Sequence, residues 1–322
     1  MEEPLAVALR YSHCITCYYD RIMKKSLKIA AAIGILAATL IAFAHYAKGH
    51  PEVLRQLQHT SPWLIIVLVG CYLVWFAALV IILRVSVQLY NKTLPPQENI
   101  LLNAYSTLAN FFGPGQSGPA VRGLYLKKRH GLPIKSYIFA SLLYYGFYAV
   151  ISAFFLFAGS QAWWKTLVVM LLAGAGSWVV IRWYAKKSHL TNNSLSMTKV
   201  GWLGLATAVQ MVMQFVIFYI ELHATQPGVS AGQALSYTGA ANFAVFVSLT
   251  PGAIGIREAF LVFSHSLHHI SNSVIVAANV IDRAVYLVFL GLLFLITISL
   301  HAKDKLRFRY YTSESSAKDS GK

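Results

Sequence analysis

The sequence predicts an all-α integral membrane protein, with about six transmembrane helices plus two re-entrant helical hairpins in an inverted repeat. Three observations lead there. The 322 residues are 57% hydrophobic and only 12% charged, where a globular domain carries roughly a quarter charged residues to coat its surface. The apolar residues are gathered into runs near the ~20 needed to cross ~30 Å of hydrocarbon, without the period-2 alternation of a barrel strand. Two shorter apolar stretches each end in a P-G-x-x-G break.

Taken in order, residues 1–26 read as a cytoplasmic N-terminal segment. Within it, 1–22 read equally as an extension upstream of a start at Met23, because Met23-Lys24-Lys25 ahead of an apolar run resembles a bacterial start. The run 27–45 is long for the core of a cleaved signal peptide and reads as a retained span, although Ala42 and Ala44 sit at a cleavage spacing. Further spans are expected at 63–83, 136–158, 165–181, 201–221 and 274–300, giving a polytopic domain over 27–301. The remainder, 302–322, is basic and polar and is expected to be a disordered cytoplasmic tail. Cys14 and Cys17 form a lone C-x-x-C and Cys71 lies in an apolar run, so no disulfide framework is implied.

The formal charge of +16 is not a nucleic-acid signature, because it is confined to short loops and tails. Arg21, Lys24 and Lys25 precede the first span, Lys127, Lys128 and Arg129 the third, Arg182 and Lys186 follow the fourth, and Lys303, Lys305 and Arg307 the last. That is the positive-inside pattern, with both termini cytoplasmic and the plasma membrane, specifically a bacterial inner membrane, as the expected location. Counting spans from a cytoplasmic start, 99–112 must enter and leave on one face and 236–249 on the other. Pro114, Gly115 and Gly118 break the first stretch and Pro251, Gly252 and Gly255 the second, as structural turns of paired hairpins.

Charges inside apolar runs carry the sharpest chemical signal, since each costs about 2.5–3.5 kcal/mol near the centre of a membrane helix. Asn279, Asp282, Arg283 and Tyr286 fall at i, i+3, i+4 and i+7, one polar stripe on the last span. Arg257 and Glu258, directly after the second break, are positioned to pair with Asp282 and Arg283. Two readings stay open: an ion-pair lock between hairpin and helix, or a lipid-phosphate site in which Arg122, Arg257 or Arg283 offers its guanidinium fork. Arg122, Arg257, Glu258, Asn279, Asp282 and Arg283 are therefore the candidate substrate-binding residues. Ser141, Tyr144, Tyr145, Tyr148 and Ser152 line one face of the third span and Thr207, Gln210 and Gln214 one face of the fifth, a pattern commoner for helix–helix adhesion. His265, His268 and His269 lack a carboxylate companion and are expected at the membrane interface, not on zinc. No Walker motif, dinucleotide fingerprint, nucleophile elbow or H-E-x-x-H occurs, so no catalytic residue, cofactor or metal is expected.

The run Thr250-Pro251-Gly252-Ala253-Ile254-Gly255-Ile256-Arg257-Glu258-Ala259, with Asn279-Val280-Ile281-Asp282-Arg283 beyond it, resembles the second signature of the flippase-like transmembrane family typified by the membrane half of lysylphosphatidylglycerol synthase. Pro114 through Arg122 and the basic Lys127 to Gly131 resemble its first signature. Pro119 stands where that family usually has a Glu, and Tyr144-Tyr145 where it has a Glu-Arg pair, which points to a divergent substrate. The resemblance implies a translocase for lipids or lipid-linked precursors, with anionic membrane lipids as partners and a glycosyltransferase or synthase as a possible companion enzyme. Two rivals are weighed against it: an intramembrane transferase acting on a polyprenyl-phosphate or phospholipid substrate, with Glu258 or Asp282 as base, and a small-solute transporter.

Overall fold

A computed structural model describes residues 61–112, 117–158, 163–187, 196–247 and 256–319. The expected first span, 27–45, and the C-x-x-C lie outside them, as do the break residues Pro114, Gly115, Pro251, Gly252 and Gly255. All elements among the described residues are helices: α1 (Pro62–Gln88), α2 (Pro96–Phe112), α3 (Ser117–His130), α4 (Ile134–Ala158), α5 (Trp163–Lys187), α6 (Met197–Thr225), α7 (Ala231–Val247), α8 (Ile256–Phe263), α9 (His265–His268) and α10 (Asn272–Asp319). Among the described residues five helices are long and apolar enough to cross a membrane: α1, α4, α5 over Trp164–Tyr184, α6, and α10 over Asn272–Thr297. They coincide with the second to sixth expected spans.

Local chemistry sets the helix ends. Pro62 opens α1, where its missing N–H is not needed. Beyond α1, Lys199 of α6 donates to the Gln88 carbonyl at 2.6 Å and to Asn91 Oδ1 at 3.2 Å, so a cation meets the negative end of the helix dipole. Gly131, at φ +62°, ends α3. Leu132 N–H then reaches back to the Leu126 carbonyl at 3.2 Å, and both leucines are buried, so the chain leaves the helix through the left-handed glycine under an apolar cover. Ser230 and Gln233 form a reciprocal capping box at the start of α7, at 3.0 and 3.2 Å.

One helix exceeds its expected limit. α10 runs on to Asp319, so 302–319, expected to be disordered, are helical. Lys303, Lys305, Leu306 and Arg307 are good helix formers that extend a span already nucleated by packing.

α6 is the axis of the bundle and packs against α1, α4, α7 and α10. α2 folds back on α3, and α7 on α8, so each short apolar stretch is one arm of a hairpin. In the first hairpin the arms nearly touch: a Cβ at Gly118 would lie 2.6 Å from the Ser106 carbonyl oxygen. Its open end is held by Glu98, which accepts from Tyr125 Oη at 2.6 Å and lies 2.7 Å from His130 Nε2. Partial burial works against the Glu98 charge, but these two contacts outweigh it and hold the carboxyl below its ordinary range. The main core joins Leu68, Tyr72 and Phe76 of α1, Phe218 of α6, Tyr237 of α7 and Phe289 of α10. α5 packs along α4 and leaves Leu171, Leu172, Trp178 and Trp183 exposed, as a surface facing hydrocarbon requires.

Candidate functional site

The polar stripe of α10 meets the second hairpin in the interior. Asp282 is 2% exposed and Asn279 4%, so each needs partners to be tolerated there. Arg257, projecting from the first turn of α8, gives Nη2 to Asp282 Oδ2 at 2.5 Å and also to Asn279 Oδ1. Arg283 gives Nη2 to Glu258 Oε1 at 3.4 Å. These are the two pairings the sequence suggested. Further elements complete the network: Tyr72 of α1 donates its hydroxyl to Asp282 Oδ1, and Asn279 Nδ2 donates to Tyr237 Oη of α7 at 3.1 Å. The Arg257 guanidinium also sits 5.6 Å from the centre of the Phe218 ring of α6, a distance at which a desolvated cation is attracted to the ring face.

Beside this network lies a cavity of about 230 Å³ that both hairpins help to line. The first supplies Arg122 and Thr107, the second Arg257, and α10 supplies Asp282 and Arg283. Further polar lining comes from Tyr144, Tyr145 and Tyr148 of α4, Gln210 and Gln214 of α6, and Asn242 of α7. Tyr144, Tyr145 and Tyr148 of the third-span stripe and Gln210 and Gln214 of the fifth-span stripe thus face a common space, and two of the tyrosines bond to amides of the same lining. Tyr144 donates to Gln210 Oε1 at 3.1 Å and Tyr148 to Asn242 Oδ1 at 2.8 Å. Arg122 Nε and Thr107 Oγ1 are buried without a hydrogen-bond partner among the described residues. A buried donor in that state is costly unless a ligand completes it.

The six candidate residues therefore divide. Arg122, Arg257, Asp282 and Arg283 face the cavity, whereas Asn279 and Glu258 stand behind it as partners of the arginines. Several polar residues of the site escape sequence reasoning, Thr107 of the first hairpin among them. Tyr72 and Tyr237 count as apolar in a hydropathy scan, and Asn242 lies in a segment read only for its length. Glu221 looks like the polar end of a span, yet it is 1% exposed, with Oε1 buried and unpartnered among the described residues. It lies within electrostatic reach of Asp282, Arg257 and Arg283.

Within the histidine cluster His268 is fully buried in the protein; Nε2 meets the Leu261 carbonyl at 2.9 Å and Nδ1 accepts the Ile270 N–H at 3.1 Å. The tight α8–α9 turn turns it inward, while His265 and His269 are exposed. No group of three or more His, Cys, Asp or Glu among the described residues is placed to hold a metal ion.

Comparison with known families matches residues 28–293 to the one described as lysylphosphatidylglycerol synthase TM region. No curated protein matches the chain.

Proposed function

This chain belongs to the lysylphosphatidylglycerol synthase TM-region family, and from that premise we propose that it moves a lipid or lipid-linked precursor between leaflets by receiving an anionic headgroup in the cavity between its two hairpins. One observation carries the reading: three guanidinium groups line a single interior cavity, and two of them come from the arms of opposite hairpins. Broken helices are tolerated in a membrane where they border such a polar space, and they offer a site that movement of either hairpin can open. Arginines suit phosphate through their bidentate fork. A plasma-membrane location with both termini cytoplasmic, and a companion glycosyltransferase or synthase, belong to the same proposal.

The transferase reading is less well supported. Its candidate bases are already engaged, Asp282 by Arg257 and Tyr72, Glu258 by Arg283, and a base so neutralised is poorly placed to take a substrate proton. The test is reconstitution in vesicles carrying fluorescent anionic or zwitterionic lipids. Headgroup-selective scrambling by the parent, lost in folded Arg283→Ala or Arg122→Ala variants, is the expected result. Folded protein that accelerates no lipid would end the translocase reading.

A further inference from the structure

Building on that reading of the cavity as a headgroup site, we propose that its ligand is a phosphodiester with a hydroxylated headgroup and one negative charge. A phosphate monoester, a diphosphate and an aminoacylated headgroup are the classes it disfavours.

Charge comes first. Of the charged side chains lining the cavity, Arg122, Arg257 and Arg283 are cationic and Asp282 is anionic. Arg257 is neutralised by Asp282 at 2.5 Å and Arg283 by Glu258 at 3.4 Å. Arg122 has no carboxylate partner among the described residues, which leaves one net positive charge. Glu221, buried against the same network, can lower that total but not raise it. Uncompensated charge in a low-dielectric interior is heavily penalised, so a site with at most one net positive charge takes a monoanion in preference to a dianion. An ammonium fares worse: Asp282 and Glu258 are committed to arginines, Glu221 stands outside the lining, and the lining as a whole is positive.

The second argument concerns donors. The tyrosines of α4 occupy the amide oxygens of Gln210 and Asn242, which leaves their amide N–H groups to be satisfied. These residues are only 4% and 3% exposed. Among the described residues Asn242 Nδ2 meets only the Met211 sulfur at 3.9 Å, a weak acceptor, and Gln214 adds another amide to the same lining. Arg122 Nε and Thr107 Oγ1 are orphaned buried atoms of the first hairpin on residues that line the cavity. A phosphate oxygen satisfies the latter pair and ligand hydroxyl oxygens satisfy the amides. The same chemistry is found in a polyol glycerophospholipid and in a sugar linked through one phosphate to a polyprenyl chain.

The experiment measures binding to the purified full chain in detergent. The probes are phosphatidylglycerol, phosphatidylethanol (the same charge without hydroxyls), phosphatidic acid, lysyl-phosphatidylglycerol, a polyprenyl phosphohexose and a polyprenyl diphosphate. Phosphatidylglycerol or the phosphohexose should bind about tenfold tighter than phosphatidylethanol, as expected of one or two added hydrogen bonds; whichever is tighter identifies the lipid source. In a Gln210→Leu/Asn242→Leu variant the preference should vanish while phosphatidylethanol affinity is retained, which also reports on folding. Equal binding of phosphatidylethanol and both hydroxylated lipids by the parent overturns the hydroxyl assignment. Tightest binding of phosphatidic acid, the diphosphate or the lysyl lipid overturns the charge count. If no lipid binds at all, it is the underlying headgroup reading that fails, and this proposal falls with it.

Discussion

Gly239 of α7 sits against the backbone of Leu156 in α4, so close that a Cβ at Gly239 would lie 2.3 Å from the Leu156 nitrogen and 2.6 Å from its Cα. No side chain can move aside to relieve this contact. Gly239→Ala should therefore push α7 off α4 and, like other overpacking changes, cost about 1–3 kcal/mol or more. The matched control is Gly176→Ala on α5, where a Cβ meets nothing within 4 Å and alanine is the better helix former. Thermal unfolding in detergent should show a lowered midpoint for the first and an unchanged or raised one for the second; equal midpoints would refute the close contact.

What was legible in the sequence follows from how strongly each feature departs from its surroundings. Asp282 and Arg283 stand out because charge inside an apolar run is expensive, and helical spacing then carries Asn279 and Tyr286 to the same face. Arg257 and Glu258 were found from their place after the second break, and both pairings with α10 are present. The roles were harder to read: Asn279 looked like a ligand residue but is bound between Arg257, Tyr237 and the Ile275 carbonyl. Tyr72 stayed hidden because its ring suits a lipid-exposed helix as well as a core, and only packing reveals its hydroxyl on Asp282. Nothing local distinguishes Gly239 from Gly176, since the difference lies in which helix passes by. The S-x-x-Q capping box at Ser230, by contrast, is a purely local signal, and it marks the start of α7.

The Arg257–Asp282 pair should behave as a unit. Removing one partner leaves the other charge buried, at a cost of about 3–5 kcal/mol, whereas apolar replacement of both costs less than the two single changes summed. Arg257→Met and Asp282→Leu should each lower the unfolding midpoint strongly, and the double variant should recover part of the loss. Additive losses would mean that each residue is held by separate contacts.

Glu98 gives the first hairpin a dependence on acid. Its contacts with Tyr125 and His130 hold the folded carboxyl below its ordinary value of 4.5, so the clamp contributes stability above that value and loses it as pH falls through the lower, folded one. Hydrogen-exchange protection at the start of α2 and the end of α3, taken relative to the intrinsic rate at each pH, should fall in that acid window in the parent. Glu98→Gln, which cannot ionise, should remove the pH dependence and leave exchange elevated at neutral pH. An acid response that persists in this variant would assign it to another group.

Arg122 should separate stability from activity. Its Nε is buried without an acceptor among the described residues, a state that costs the empty protein about 1–3 kcal/mol. Arg122→Ala should accordingly leave the unfolding midpoint unchanged or raise it, while scrambling of anionic lipid falls by at least about tenfold, the loss of one charge-assisted hydrogen bond to phosphate. Lys restores charge without the planar fork, so Arg122→Lys should recover only part of the rate. A variant that loses stability and scrambling together would show that Arg122 holds the hairpin and not the ligand, since a residue kept for a ligand is the kind whose removal the empty fold does not resist.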